Sequence, residues 1–135
     1  MKKLFALIII GFFFLSCFGS INNSVENKKL QDDDPELVAQ GKEIAMKNGC
    51  LACHSINGTK LVGPTLKGLY GSEATVTTDG KKRTVMVDDD YLKTSIYDPN
   101  HDVPDGYQAN IMVSYKSLIN EKDLTALIAY IKSLK

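Results

Sequence analysis

Five consecutive residues, Cys50-Leu51-Ala52-Cys53-His54, restrict this chain more than any other feature. In this pattern each cysteine forms a thioether to one vinyl group of a haem, and the histidine behind them lies under the iron. A chain that holds so large an apolar group covalently has to fold around it. The competing use of the same thiols is a redox disulfide between Cys50 and Cys53. The adjacent His54 and a helical patterning unlike that of thioredoxins stand against it.

Composition bears on the same point. All five Phe (Phe5, Phe12, Phe13, Phe14 and Phe18) belong to the N-terminal run and there is no Trp, so the rest of the chain has only Tyr as large aromatics. A segment of about 100 residues so poor in bulky apolar groups builds a thin core, and small cores commonly need a staple or a cofactor. A buried porphyrin would supply the missing apolar mass. The cysteine count agrees: of Cys17, Cys50 and Cys53, two are assigned to haem and one to lipid.

The N-terminus reads as an address. Lys2 and Lys3 precede an apolar run over 4–18, shorter than the roughly 20 residues a spanning helix needs. The run ends Phe14-Leu15-Ser16-Cys17, which resembles a bacterial lipoprotein signal, with Phe14 larger than the residue usual there. Residues 1–16 are therefore expected to be a lipoprotein-type signal peptide and Cys17 the lipidation site. A plain secretory signal and an uncleaved anchor are the alternatives. Each reading puts the protein outside the cytoplasm, in the periplasm or on the outer face of a bacterial membrane, and the lipid would anchor it there. Residues 19–35 are polar and aperiodic, a flexible linker with a root-mean-square reach of roughly 20–25 Å; Asp32-Asp33-Asp34 reads as a solvated run.

The single domain is expected over 36–135. Pro35 and Glu36 start a helix towards Asn48, with Leu37, Gly41, Ile44 and Ala45 on one face, and Gly49 suits the left-handed turn that ends it. The last helix runs from about Glu121 to Leu134, capped by Asn120 and striped by Leu124, Leu127, Ile128 and Ile131. The two terminal helices should cross, with Gly41 and Ala45 allowing close approach and Tyr130 filling the crossing. A third helix is expected from Asp89 to Tyr97 under an Asp88 cap, a short one over 65–70, and a hairpin over 74–86 turning at Asp79-Gly80. Candidates for a second axial ligand are Met46, Met86, Met112 and His101. Met46 lies close to the motif on the attachment side, Met86 alternates like a half-buried strand residue expected in the core, and His101 sits in a Pro- and Asp-rich loop. Met112 follows a long loop, 98–111, able to cross the open face of the haem.

Taken together, GCLACHSINGT, VGPTLKGLYG, YLKTSIYDPN and MVSYKSL…LIAYIKSL resemble, in order, a class I cytochrome c. They most resemble the cytochrome c domain fused to the copper-bearing subunit II of some bacterial haem-copper oxidases, here expected as a free-standing version. The resemblance implies a mainly α fold of three to five helices around one covalently bound haem c. It implies His54 and Met112 as axial ligands and the Pro64 carbonyl as the acceptor that orients His54. The chain departs from the family in having Val113 where Pro usually follows the ligand Met, and Ala45 where an aromatic is frequent.

Two strong axial ligands leave no open position for substrate, so the expectation is an electron carrier and not an enzyme. It would take electrons from a respiratory donor complex and pass them to cytochrome c oxidase or another reductase. The alternatives are a haem peroxidase or ligand sensor with a labile sixth ligand, and a fixed haem subunit of a larger oxidoreductase. Tyr70 and Tyr107 are candidates to bond a haem propionate, and Lys47, Lys60, Lys67 and Lys116 to ring the haem edge. With 12 basic and 12 acidic residues from 36 onward, steering would depend on how charge is distributed. Overall charge balance argues against a nucleic-acid partner.

Overall fold

The computed structural model describes residues 33–135. The signal-like run 1–16, the lipidation candidate Cys17 and the linker up to residue 32 lie outside the described residues. Among the described residues, no helix is long and apolar enough to cross a membrane.

The order is α1 (Pro35–Lys47), α2 (Cys50–Cys53), β1 (Glu73–Thr78), β2 (Lys81–Met86), α3 (Asp89–Tyr97), β3 (Val103–Pro104) and α4 (Glu121–Ser133). Each of the three long helices starts at a side-chain cap. Asp34 accepts from Glu36 N at 3.1 Å, Asp88 from Tyr91 N at 2.9 Å, and Asn120 from Asp123 N at 2.9 Å, each satisfying a backbone donor that the first turn leaves open. The last Asp of the acidic run is thus a helix cap as well as a solvated charge. Proline at the first position of α1 loses no hydrogen bond there.

The first and last helices pack together. Leu37, Gly41 and Ala45 of α1 are buried, and so are seven residues of α4 between Leu124 and Ile131. Gly41 is required at the crossing, because a Cβ there would lie 1.9 Å from the Ala126 carbonyl oxygen and 2.7 Å from Tyr130 Cβ. Ala45, in place of an aromatic, is fully buried in the main core with Leu66, Val87, Leu92, Ile96, Ile119, Leu127 and Ile131. That core is aliphatic, with Tyr130 its one buried aromatic.

The hairpin forms about Asp79 and Gly80, whose φ values of 48° and 76° give the doubly left-handed turn that fits the twist of paired strands. A third strand joins it, giving the antiparallel order β2-β1-β3, with Val76 opposite Pro104 and Thr77 opposite Val103. A two-residue strand leaves no periodic signature, and β3 was not expected.

Two expectations are corrected. The short helix over 65–70 is absent: the segment turns instead. Thr65 Oγ1 accepts from Gly58 N and Lys67 N, both at 3.2 Å, and Gly68 takes a left-handed φ of 64° while its N–H donates to Leu134 O at 2.6 Å. Met86 is not in the core. Side chains alternate faces along a strand, so fully buried Val87 and half-buried Val85 turn inward and Met86 is 52% exposed.

Candidate functional site

Gly49, at φ 71°, reverses the chain after α1 and lets Cys50–Cys53 coil as a single helical turn. Residues three apart on a helix share a face. Cys50 and Cys53 accordingly line the same cavity, and both are free thiols. Burial pushes the Cys50 thiol above its ordinary value, and Cys53 beside it adds to the rise.

His54 follows, and its Nδ1 donates to the Pro64 carbonyl at 2.8 Å. A carbonyl only accepts, so Nδ1 carries the proton and Nε2 is left with its lone pair. Gly63 backs the ring: a Cβ there would stand 2.5 Å from His54 Cε1 and 2.8 Å from Nδ1. The chain after the motif is folded back onto it by Gly63 N to Cys53 O (2.9 Å) and Leu66 N to Ser55 O (2.7 Å), with Thr65 Oγ1 donating to Ser55 O (3.1 Å).

The cavity has a volume of about 660 Å³, within the ordinary range for a cofactor site. Its inner wall is aliphatic, from Leu66, Leu69, Leu92, Ile96, Leu127 and Ile131. Its opposite side is the long loop, beginning with Val103 and Pro104 of β3, then Asp105, Tyr107, Gln108 and Asn110, and finally Met112. Two thiols on one face, an oriented imidazole, a thioether brought in from a distant part of the chain and an aliphatic inner wall form a set that fits haem.

Of the competing sulfur and nitrogen donors, none lines the cavity. Met46 is 61% exposed, Met86 is on the outer face of β2, and the half-exposed side chain of His101 stands 3.3 Å from Asp102. Tyr107 lines the cavity with Lys60 Nζ 5.1 Å above its ring centroid. Tyr70 does not; it lies outside, under Lys132 at 4.7 Å. The four lysines expected around the haem edge are absent from the lining, whereas Val62, Ile111 and Val113 reach it from the surface and are all more than half exposed.

Tyr115 was missed from the sequence. It lines the cavity, and its hydroxyl donates at 3.0 Å to the carbonyl of Asn48, joining the Met112 segment to the end of α1. Its place three residues after Met112 was the available signal. Asp102 was also missed; it lines the cavity, is 6% exposed, and bonds to Arg83 and Thr78.

The cytochrome c family model matches residues 38–135. Cytochrome c2 iso-2 of Magnetospirillum fulvum is 37% identical over 92 residues, covering 63% of this chain and 91% of that protein. Cytochrome c2 iso-1 of Magnetospirillum molischianum is 32% identical over 95 residues, covering 65% and 92%. Cytochrome c oxidase subunit 2 of Alkalihalophilus pseudofirmus is 30% identical over 114 residues. That match takes in 82% of this chain, which spans only 30% of the oxidase subunit's length.

Proposed function

Since the chain belongs to the cytochrome c family and is with it a monohaem electron carrier with a covalently bound c-type haem, we propose that it serves a respiratory chain. It takes single electrons from a donor complex and passes them to a terminal oxidase or another reductase. The similarity to a protein named as an oxidase subunit supports an oxidase as the acceptor. In this reading residues 1–16 are a cleaved signal, residues 17–35 a lipid-bearing linker and residues 36–135 the electron-transfer domain, held on the outer face of a membrane through acylated Cys17.

Cys50 and Cys53 would hold the haem by thioethers, and His54 Nε2 and Met112 Sδ would be the axial ligands. When bound, the haem supplies a reversible ferric–ferrous couple. The protein's own groups do the rest. Pro64 fixes the imidazole's tautomer and orientation through the 2.8 Å bond, and Gly63 leaves the ring room to keep it. The aliphatic wall excludes water. Two axial donors leave no coordination position for substrate, which argues for a carrier and against a peroxidase or sensor.

The observation that carries this reading is that His54 and Met112, far apart in the sequence, line one cavity with both thiols. The test is an absorption spectrum of the matured protein, oxidised, reduced, and reduced under carbon monoxide. The expected result is a c-type reduced spectrum, a weak sulfur-to-ferric-iron band abolished in Met112→Ala, and no response to carbon monoxide in the unsubstituted protein. A high-spin spectrum with rapid carbon monoxide binding would overturn it. The anchor is tested separately: Cys17→Ala should release the protein from the membrane fraction with its haem intact.

A further inference from the structure

The loop that leads to Met112 is held in an unusual way. From residue 98 to residue 114 one side chain alone is buried, and it is a charged one: Asp102, at 6% exposure. Its half-buried apolar residues, Val103, Pro104, Tyr107 and Met112, line the cavity, so Asp102 is the stretch's one fully buried tie to the rest of the chain. A buried carboxylate is costly unless its oxygens are paired and hydrogen-bonded, so what satisfies Asp102 helps to decide where the loop lies, beside the bonds that Ser114 Oγ and Tyr115 N donate to the Tyr97 and Ile96 carbonyls at its far end.

The hairpin satisfies it. Arg83 Nη2, from β2, lies 2.8 Å from each carboxylate oxygen, and Thr78 Oγ1, at the end of β1, donates to Oδ1. Arg83 Nε in turn donates to Thr78 Oγ1 at 2.7 Å, which fixes the guanidinium against the strand. Two further contacts flank the same point. β3 pairs with β1 through Val103 and Pro104, and Asp105 N donates to Thr75 O at 2.8 Å while its carboxylate accepts from Lys82 Nζ at 2.7 Å. The hairpin supplies no core side chain other than Val76 among its fully buried residues. The hydrogen bonds that its side chains make outside the hairpin go to Asp102 and Asp105.

We propose that the 73–86 hairpin is a clamp on the ligand loop, with Arg83 and Asp102 as positioning residues that keep Met112 seated at the haem. This rests on the reading of Met112 as the sixth ligand. Neither Arg83 nor Asp102 touches the iron. They act by setting the fraction of time in which the loop is open, and apparent binding of an exogenous ligand scales with that fraction. Removing Arg83 leaves the buried Asp102 carboxylate with only Thr78 and His101 beside it, and the readiest relief is for the loop to swing outward into water.

The test compares the haem-loaded protein with Arg83→Ala, Arg83→Lys and Thr78→Val. Arg83 is half-exposed, so its loss does not hollow the core. Three quantities are measured: the sulfur-to-ferric-iron band, carbon monoxide binding to the reduced protein, and amide hydrogen exchange over 105–113. The clamp requires the band in the unsubstituted protein, its weakening in Arg83→Ala, carbon monoxide binding faster by about tenfold or more, and faster exchange confined to the loop. Arg83→Lys should restore much of the band, and Thr78→Val should give a smaller change of the same sign. An intact band with unchanged carbon monoxide binding in Arg83→Ala would overturn the clamp and leave Met112 ligation standing. A missing band in the unsubstituted protein would remove Met112 as the ligand, and the clamp with it.

Discussion

The two sides of the cavity are built by different forces. One side is the crossing of α1 and α4 with the aliphatic core behind it, where Gly41, Ala45, Ala126 and Ala129 bring backbones together and polar groups take little part. The other is the loop over 98–111, with one buried side chain, held by an ion pair, a two-residue strand and a few hydrogen bonds. Close-packed apolar surfaces have no alternative arrangement of similar energy, whereas a polar latch can open by exchanging its bonds for water. The side built on the helix crossing is thereby the rigid one, and the loop that leads to Met112 the adjustable one.

The contrast breaks most sharply at Gly41. Helix propensity alone would make Gly41→Ala stabilising by about 1 kcal/mol. The added Cβ meets the Ala126 carbonyl, a backbone atom on a packed helix, so the crossing must open. The expected net loss is about 3 kcal/mol, read as a fall in denaturant midpoint, with the whole domain weakened and not the loop alone.

Asp102→Asn probes the other side and brings in pH. Burial works against the charge on Asp102, but hydrogen bonds from Thr78, Arg83 and His101 and the charge of Arg83 outweigh it, holding its carboxyl below the ordinary value. A lowered folded-state value means that the stabilisation is complete above the unfolded-chain value of about 3.9 and is lost as pH falls through the folded one. Asp102→Asn should cost about 2 kcal/mol at neutral pH. Its difference from the unsubstituted protein should shrink towards zero as pH drops below about 4, in paired denaturation curves. A gap that persists in acid would show that the carboxylate's charge is not what holds the loop.

Tyr115→Phe falls on the seam between the two sides. It removes the bond to the Asn48 carbonyl and leaves the ring, at a cost of about 1 kcal/mol. Here the sulfur-to-iron band should weaken slightly, and the denaturant midpoint should fall by far less than in Gly41→Ala.

The rigid side and the loop leading to Met112 were legible in the sequence, and what holds that loop was not, for the same physical reason. Amphipathic periodicity, caps and left-handed glycines are local signals, and α1, α3, α4, Gly49 and the Asp79-Gly80 turn follow from them. The site's thiols and His54 are contiguous, so their grouping needed no tertiary information. The Arg83–Asp102 pair joins two separate segments through side chains alone. Val103–Pro104 pairs as a strand only because β1 is already there. The mistaken helix over 65–70 shows the converse: its apolar spacing suited a helix, but Gly68, and the Leu134 carbonyl that its amide meets, turned it into a loop.

The pairing of α1 with α4 also sets an order of events. Non-local contacts form late because the intervening chain must first be gathered, and here the partners are the first and last helices of the domain. A chain emerging N-terminus first cannot complete the crossing until α4 is free. The Gly68 amide likewise waits for the Leu134 carbonyl. Until then the turn bearing Cys50 is unroofed, and this thiol, half-buried in the finished fold, stays fully open to chemistry.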